Sequence, residues 1–444
     1  MTNEAKLPAS MSKLIEQVNN ELLKEQRPKL AAMFRDCFSN TYQTTIQSLE
    51  DGSTFVITGD IPAMWLRDSS AQVRAYLLLA NEDSSLADMI EGVVKRQMQY
   101  IQLDPYANAF NMEPTSAGHG QDLTQMSPWI WERKYEIDSL CYPIQLSYLL
   151  WRATGRTAHF NDAYKSAVHT ILNLWRVEQD HETKSPYRFQ RLNCPPTDTL
   201  TRDGKGSPVG YTGMTWSGFR PSDDACSYGY LIPANMFAVV VLGYIAEIAE
   251  QVWQDASLSR ESLKLAAEIK QGIEAFGTIE HPKLGTMFAY ETDGLGNFNL
   301  MDDANVPSLL SIPYLGYVAD SDPVYEHTRS FILSDENPYF YKGKAAQGIG
   351  SPHTPDRFIW HISLAVQGLT ASSREEKLRI LDLLADTDAG TGLMHEGFHV
   401  DDPSQYTRPW FSWANSMFSE LVLDACGLSI KKLLNDRVNA SHSS

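Results

Sequence analysis

Apolar residues recur at three- and four-residue spacing through most of the chain, the period of helices that bury one face. The pattern predicts helices over 11–25, 27–47, 69–80, 84–103, 137–154, 161–179, 225–252, 258–276, 302–315, 323–333, 356–370, 373–386 and 412–428. Strand patterns are few: 53–57, and 286–292 running into an Asp-Gly turn. The helices alternate in character. One set opens on a polar, loop-borne segment and then turns apolar: LRDSS (66–70), YEIDS (135–139), PSDDA (221–225), LMDDAN (300–305), GSPHTP (350–355) and RPWFSWAN (408–415). The intervening set is amphipathic, as in 84–103 and 161–179. Six of each, with one extra helix at the N-terminus, predict an all-α fold, an (α/α)6 barrel with a few short β-hairpins in its loops. Six inner helices would be buried all round, and six outer helices would keep a wet face. Inner helices of such a ring run parallel, so their polar starts gather at one rim. Asp and Ser there would cap free N–H groups, and the same cluster would line a pocket. No linker or low-complexity stretch divides residues 1–444, so a single domain is expected.

Composition narrows the partner. Among 444 residues, 37 Lys and Arg face 55 Asp and Glu, a net charge of −18. Such a surface excludes nucleic acid as a partner, since phosphate backbones need basic surface, and it disfavours anionic membranes and anionic substrates. A neutral small molecule fits best. The cysteines, Cys37, Cys141, Cys194, Cys226 and Cys426, are scattered and odd in number, without a CxxC, so neither a disulfide framework nor a zinc cluster is expected. The first residues, MTNEAKLPAS, lack an apolar leader, and no run reads as long enough to cross a bilayer. The expected location is the cytoplasm.

Candidate chemistry lies in the polar segments. TGDIPAMWLRDSS (58–70) places Asp60, Trp65, Arg67 and Asp68 ahead of an apolar helix. Asp and Arg pair with sugar hydroxyls, and Trp stacks on the apolar face of a pyranose. The competing reading is a capped helix start with Arg67 paired to a carboxylate. Segment 211–230, YTGMTWSGFRPSDDACSYGY, surrounds Asp223 and Asp224 with Trp216, Phe219, Arg220, Tyr228 and Tyr230. A carboxyl in aromatic surroundings beside another carboxyl should have a raised pKa and stay protonated, as a general acid must. One of the two is expected to be that acid and the other a helix cap or sugar acceptor; loop context does not separate them. GTGLMHEGFHV (390–400) holds Glu396 between His395 and His399, free to activate a water. Two carboxyls on separate loops fit glycoside hydrolysis, with roughly 6.5–9.5 Å between them in an inverting enzyme. Of His353, His361, His395 and His399, only the last two are four apart, and Gly397 interrupts them; no such pair sits on a helix with an acidic partner, so no metal is expected. Neither GxSxG, a P-loop nor a strand-borne GxGxxG occurs.

TGDIPAMWLRDSSAQ, WSGFRPSDDA, MDDANVPSLLSIPYLG and RPWFSWANSMFSEL together resemble glycoside hydrolase family 125, from about residue 12 to residue 434. The resemblance implies an (α/α)6 barrel and a metal-independent, cofactor-free, inverting exo-α-1,6-mannosidase acting on α-1,6-mannosides such as trimmed N-glycan fragments. It puts the general acid at Asp223 and the general base at Glu396, with Arg67 and Asp68 holding the terminal mannose. Asp138, Asp302, Asp303 and His353 join the expected sugar site from their helix-start positions, with Asp60, Trp65, Trp216, Arg220, Asp224 and His395. A monomer is expected. Two rival readings stand beside this one. One is a phosphorylase, or a hydrolase of another α-linkage, on the same barrel; a phosphate-accepting enzyme should gather Arg, Lys and Ser at the water site, where Glu396 is a poor neighbour for phosphate. A glycan-binding protein without turnover would not need both Asp223 and Glu396.

Overall fold

The computed structural model describes residues 6–431; residues 1–5 and 432–444, with the start of the N-terminal segment and the residue-434 end of the resemblance, lie outside the described residues. The chain opens with α1 (Ala9–Lys24) and α2 (Pro28–Thr44), the latter entered through a proline whose fixed φ suits the first helical position. It continues through α3 (Leu66–Arg74), α4 (Ser84–Leu103), α5 (Ile137–Thr154), α6 (Asp162–Glu178), α7 (Ile232–Gln251) and α8 (Ala256–Phe276). Then come α9 (Ile312–Leu315), α10 (Pro323–Ile332), α11 (His361–Leu369), α12 (Arg374–Asp386) and α13 (Ser412–Ala425). Among the described residues the odd-numbered helices from α3 to α13 form the inner ring, in which α13 packs on α3, α3 on α5, α5 on α7, and α11 back on α13. The even-numbered helices form the outer layer, and α1 packs on α2 outside it. This is the alternation that the sequence predicts. Every residue of α3 is buried, whereas α4 buries one stripe and wets the other.

Three short antiparallel sheets sit at the rim and feed inner helices. Strand Met64–Trp65 runs straight into α3, Tyr230–Leu231 into α7 and Phe358–Trp360 into α11. The third sheet pairs Trp360 with Gly397, so residue 396 is fixed at the edge of a strand. These strands change how the helices start. Side-chain N-caps come from Asp83, Asn161, Asp255, Asp322 and Ser373, all on outer helices. The inner helices start from Trp65, Glu136, Leu231, Ser311, Trp360 and Phe411, none of which makes a side-chain cap. The expected capping role of the rim aspartates is therefore not what the fold uses.

Of the helices shorter than the periodicity predicts, the one read as 356–370 starts only at His361 because Phe358–Trp360 pair as a strand, and two others lose more. The segment read as 225–252 becomes helical only at Ile232, because its early N–H groups are engaged elsewhere. Ala225 N–H donates to Thr197 O (2.7 Å) and Cys226 N–H to Gly218 O (3.0 Å), while those of Ser227 and Tyr228 donate to Glu291 Oε2 at 3.1 and 3.2 Å. The segment read as 302–315 keeps only its last turn: Asp302 accepts the N–H groups of Leu309 (2.8 Å) and Leu310 (3.0 Å), which closes a loop instead. The bilayer reading also needs correction. At 20 residues and mean hydropathy 1.8, α7 is long and apolar enough to cross a membrane, yet 72% of that stretch is buried, because an inner helix is apolar on every face.

Trp216 packs face to face with His181, ring centroids 3.6 Å apart. A Cβ on Gly229 would lie 2.0 Å from Trp216 Nε1. Gly229→Ala is thus expected to cost about 1–3 kcal/mol through overpacking, read as a lower denaturation midpoint with an unchanged slope.

Candidate active site

At the rim where the inner helices start, the structure forms a half-open cavity of about 360 Å³, counting the space at its mouth. Trp65, Arg67 and Asp68 come to it from the start of α3, and Pro221, Ser222 and Asp223 from the loop before α7. Asn305, His353 and Trp360 precede α9 and α11, and Glu396, Arg408, Phe411 and Trp413 come from the α12–α13 connection and the first turn of α13.

Arg67 organises one wall. Its Nη1 donates to Glu136 Oε2 at 2.6 Å and Asp138 Oδ2 at 3.3 Å, while Nη2 lies 3.5 Å from Asp223 Oδ1 and Nε 3.4 Å from Asp68 Oδ2. The guanidinium also stands 5.3 Å from the Trp413 ring centroid. One cation thus serves four carboxyl groups. Burial pushes Asp68 and Asp138 up to about 6, the Arg67 charge only partly offsetting it. The same burial drives Glu136 well above the usual carboxylate range. Trp65 Nε1, Trp413 Nε1 and Asp68 Oδ2 are buried and make no hydrogen bond to the protein. Two N–H donors and one acceptor on the cavity wall match a ligand rich in hydroxyls.

Asp223 sits on a strained turn with φ +67°, tolerable for Asp and uncommon for other side-chain-bearing residues. Its N–H donates to Arg220 O (2.9 Å), and the Arg220 N–H to Asp224 O (2.7 Å). Its carboxylate accepts from Asn108 Nδ2 at 3.2 Å, and its carbonyl from Lys134 Nζ at 2.6 Å. The expected raised pKa is not found. Burial acts upward, but Arg67 first, then Lys134, and a hydrogen bond from Glu136 together hold Asp223 down at about 2. The carboxyl faces cations, not the aromatic rings: Trp216 is packed on His181 and Tyr135, and Phe219 on Phe189. Asp224 is turned away from Asp223 and accepts from His353 Nδ1 at 3.1 Å. Burial works against the His353 charge, but Asp224 and, further off, Glu396 and Asp223 raise its pKa to about 9, so the ring is cationic at neutral pH.

Across the cavity, Glu396 lies 3.8 Å from Arg408 Nη1. Arg408 has φ +48°, lies over the Phe411 ring at 4.2 Å and pairs with Asp60 through Nε (3.0 Å). Gly59, at φ +127°, allows this approach, since a Cβ there would meet Trp410 O at 2.5 Å.

Of the expected sugar-site residues, Trp65, Arg67, Asp68 and His353 line this cavity together with Asp223 and Glu396. The others stand behind it. Asp60 braces Arg408; Asp138 lies beneath Arg67; Asp303 accepts from Ser222 Oγ at 2.8 Å. Arg220 is buried in an ion pair with Glu291 at 2.6 Å, and Asp302, pushed up to about 8 by burial, ties its own loop. His395 stacks on Tyr406 at 3.8 Å with Nδ1 3.2 Å from Arg408 O, and Trp216 is core. The sequence reading missed Glu136, Asn108, Asn305, Trp360 and Arg408, and also Trp413. Arg408, Asn305 and Trp413 lie inside segments singled out by their polar starts; nothing in the local sequence marks Asn108 or Trp360.

A second cavity of about 930 Å³ adjoins the first, sharing Ile61, Trp65, Asp223 and His353 and adding Trp131, His119, Lys134 and Arg191. Its cations are paired: Lys134 with Asp198, and Arg191 with Asp122 (2.7 Å) and Glu132 (2.8 Å). No group of three or more His, Cys, Asp or Glu arranged to hold a metal occurs among the described residues.

Comparison with known proteins bears on this geometry. The family model for metal-independent α-mannosidases of glycoside hydrolase family 125 matches residues 27–423. The Meiotically up-regulated gene 157 protein of Schizosaccharomyces pombe is 43% identical over 437 residues, which cover 94% of this chain and 85% of that protein. A solved Streptococcus pneumoniae structure, described as a non-productive substrate complex with α-1,6-mannobiose from a family of metal-independent α-mannosidases, is 52% identical. It superposes with a TM-score of 0.93 over 96% of this chain and 100% of that one. The glucoamylase of Saccharomycopsis fibuligera, 11% identical, shares the fold alone, with a TM-score of 0.55 over 97% of this chain and 98% of its own.

Proposed function

As the chain belongs to glycoside hydrolase family 125, the metal-independent α-mannosidases, we propose that it removes terminal α-1,6-linked mannose by single displacement, with inversion. One observation carries the reading: Asp223 and Glu396, from different loops, open on one cavity whose wall at Arg67 and Asp68 is closed by the start of α3. Asp223 gives a proton to the glycosidic oxygen. Glu396 takes a proton from a water that attacks the anomeric carbon from the opposite face. The side chain of Asp223 is 25% exposed at the cavity, whereas that of Asp224 is 4% exposed and tied to His353, which favours Asp223 as the acid.

The start of α3 walls one side of the cavity, which leaves room for the terminal ring alone beyond Asp223, and this makes the enzyme exo-acting. The leaving sugar lies past Asp223 in the adjoining cavity, where Trp131 offers a stacking face and the paired ions suit a neutral saccharide. The protein acts as a monomer on small mannosides. Five unpaired cysteines support a reducing compartment such as the cytoplasm.

Proton NMR of α-1,6-mannobiose hydrolysis tests the reading. The first mannose released is expected as the β-anomer, the α-anomer growing in only by mutarotation. Initial α-mannose would rule out inversion, and failure to cleave this disaccharide while other α-mannosides are cleaved would rule out the linkage.

A further inference from the structure

Glu136 is a buried carboxyl that single displacement by Asp223 and Glu396 leaves unused. It is the residue from which α5 starts, with extended backbone angles, and its side chain is fully buried. It shares both of its outward partners with Asp223. Arg67 reaches Glu136 through Nη1 (2.6 Å) and Asp223 through Nη2 (3.5 Å), and Asn108 Nδ2 stands 3.5 Å from Glu136 Oε1 and 3.2 Å from Asp223 Oδ1. Two buried carboxyls that share one guanidinium and one amide resist being ionised together, so the pair holds one proton. The remaining groups around Glu136 are Asp138 on Arg67, Ser139 Oγ at 2.8 Å, Glu132 on Asn108, Lys134 on the Asp223 carbonyl and the Cys226 thiol.

We propose that Glu136 is the proton store of the acid: it holds the proton in the free enzyme and passes it to Asp223 when substrate closes the cavity. The inference rests on Asp223 being the general acid. In the free enzyme Asp223 keeps its charge because its side chain still meets water and faces Lys134, while Glu136 is buried without solvent. That assignment agrees with the low pKa of Asp223 and the high one of Glu136. Substrate removes the water. The Asp223 anion then loses its solvation, whereas a Glu136 anion would keep Arg67 at 2.6 Å and Ser139 at 2.8 Å. The Glu136 O–H bond breaks and an Asp223 O–H bond forms. Asp223 next gives this proton to the leaving oxygen, which takes the electron pair of the breaking C–O bond. Glu396 holds the proton lost by water, and solvent returns one to Glu136 after product leaves. Glu136 touches no substrate in this scheme; it is a positioning residue for the proton.

The test compares α-1,6-mannobiose with α-mannosyl fluoride, whose leaving group departs without a proton from the acid. E136Q is expected to lose roughly a hundredfold in kcat/KM on mannobiose. Its alkaline limb should move to lower pH by about two units, while its rate on the fluoride stays within about threefold of the parent. E136D, which restores a carboxyl at a longer reach, should recover part of the mannobiose rate; should E136Q not fold, E136D with its own pH profile carries the test. Equal losses on both substrates, or a mannobiose profile that does not move, would overturn the proposal. D223N separates the underlying reading: it should lose mannobiose activity and keep the fluoride, and if it keeps both, Asp223 is not the acid and that reading fails first.

Discussion

Replacing Glu396 by glutamine is expected to lower kcat by roughly 10²–10⁴-fold while KM changes little. The substitution keeps the volume and the hydrogen-bonding reach, and removes only the ability to take a proton from water. Glu396 stands just before strand Gly397–His399, held by the Trp360–Gly397 pairing, with Arg408 at 3.8 Å. Nothing in that setting depends on its charge for folding, because Arg408 keeps Asp60 as a partner. The thermal midpoint should therefore stay close to that of the parent, and isothermal titration with a non-hydrolysed mannoside should show binding preserved. A kcat within about tenfold of the parent would remove Glu396 as the base. A crystal structure of the variant with a bound mannoside would then report the separation of the two carboxyls, for which inversion requires roughly 6.5–9.5 Å.

Arg67→Met is expected to abolish turnover and to destabilise the fold by about 3–5 kcal/mol, the loss seen when one partner of a buried ion pair is removed. Four carboxyls converge on this guanidinium: Asp68, Glu136, Asp138 and Asp223. Without it, burial and mutual repulsion remain, and their folded-state pKa values rise further. The sign of the pH effect follows. A carboxyl whose folded pKa lies above its unfolded value gives stability at low pH and loses it as pH rises through the folded pKa. Asp68 and Asp138 already stand at about 6 with Arg67 in place. The gap between variant and parent should be smaller near pH 5, where Asp68, Glu136 and Asp138 are protonated in both, and widest near pH 8. Calorimetric scans at the two pH values check this. A gap independent of pH would mean that Arg67 acts through its packing on Trp413 and not through charge.

Much of the fold was legible because helix formation is a local matter. Helices 84–103 and 137–154 begin and end where the periodicity puts them. The two largest boundary errors have a common cause. Residues 225–231 and 302–311 carry helical spacing, but their N–H groups are claimed by Thr197, Gly218 and Glu291 in one case and by Asp302 in the other. A periodicity cannot see a competing acceptor brought in from another segment.

The site was legible in its parts and not in its assignments. Segment 135–139 was marked by its polar start, but Asp138 and not Glu136 drew attention, because Asp138 lies within the helical turn. Glu136 is still extended and stands outside the helix, yet its carboxyl meets the same Arg67 Nη1 as that of Asp138. Trp216 and Trp413 both lie in aromatic, polar-rich segments; only packing decides that the first stacks on His181 and the second walls the cavity. The ionisation of Asp223 was misjudged for the same reason, since its neighbours in sequence are aromatic and its neighbours in space are Arg67, Lys134 and Glu136.

By itself, then, the amino-acid sequence determined the helical period, the alternation of wholly buried and half-buried helices, the gathering of polar helix starts at one rim and the neutral character of the ligand. These depend on spacing within one or two turns and on total charge. Which polar groups face the cavity, which carboxyl holds the proton and which cation restrains it were decided only by the tertiary structure. Coulomb energy and desolvation depend on distance and burial in space, and residues far apart along the chain set both.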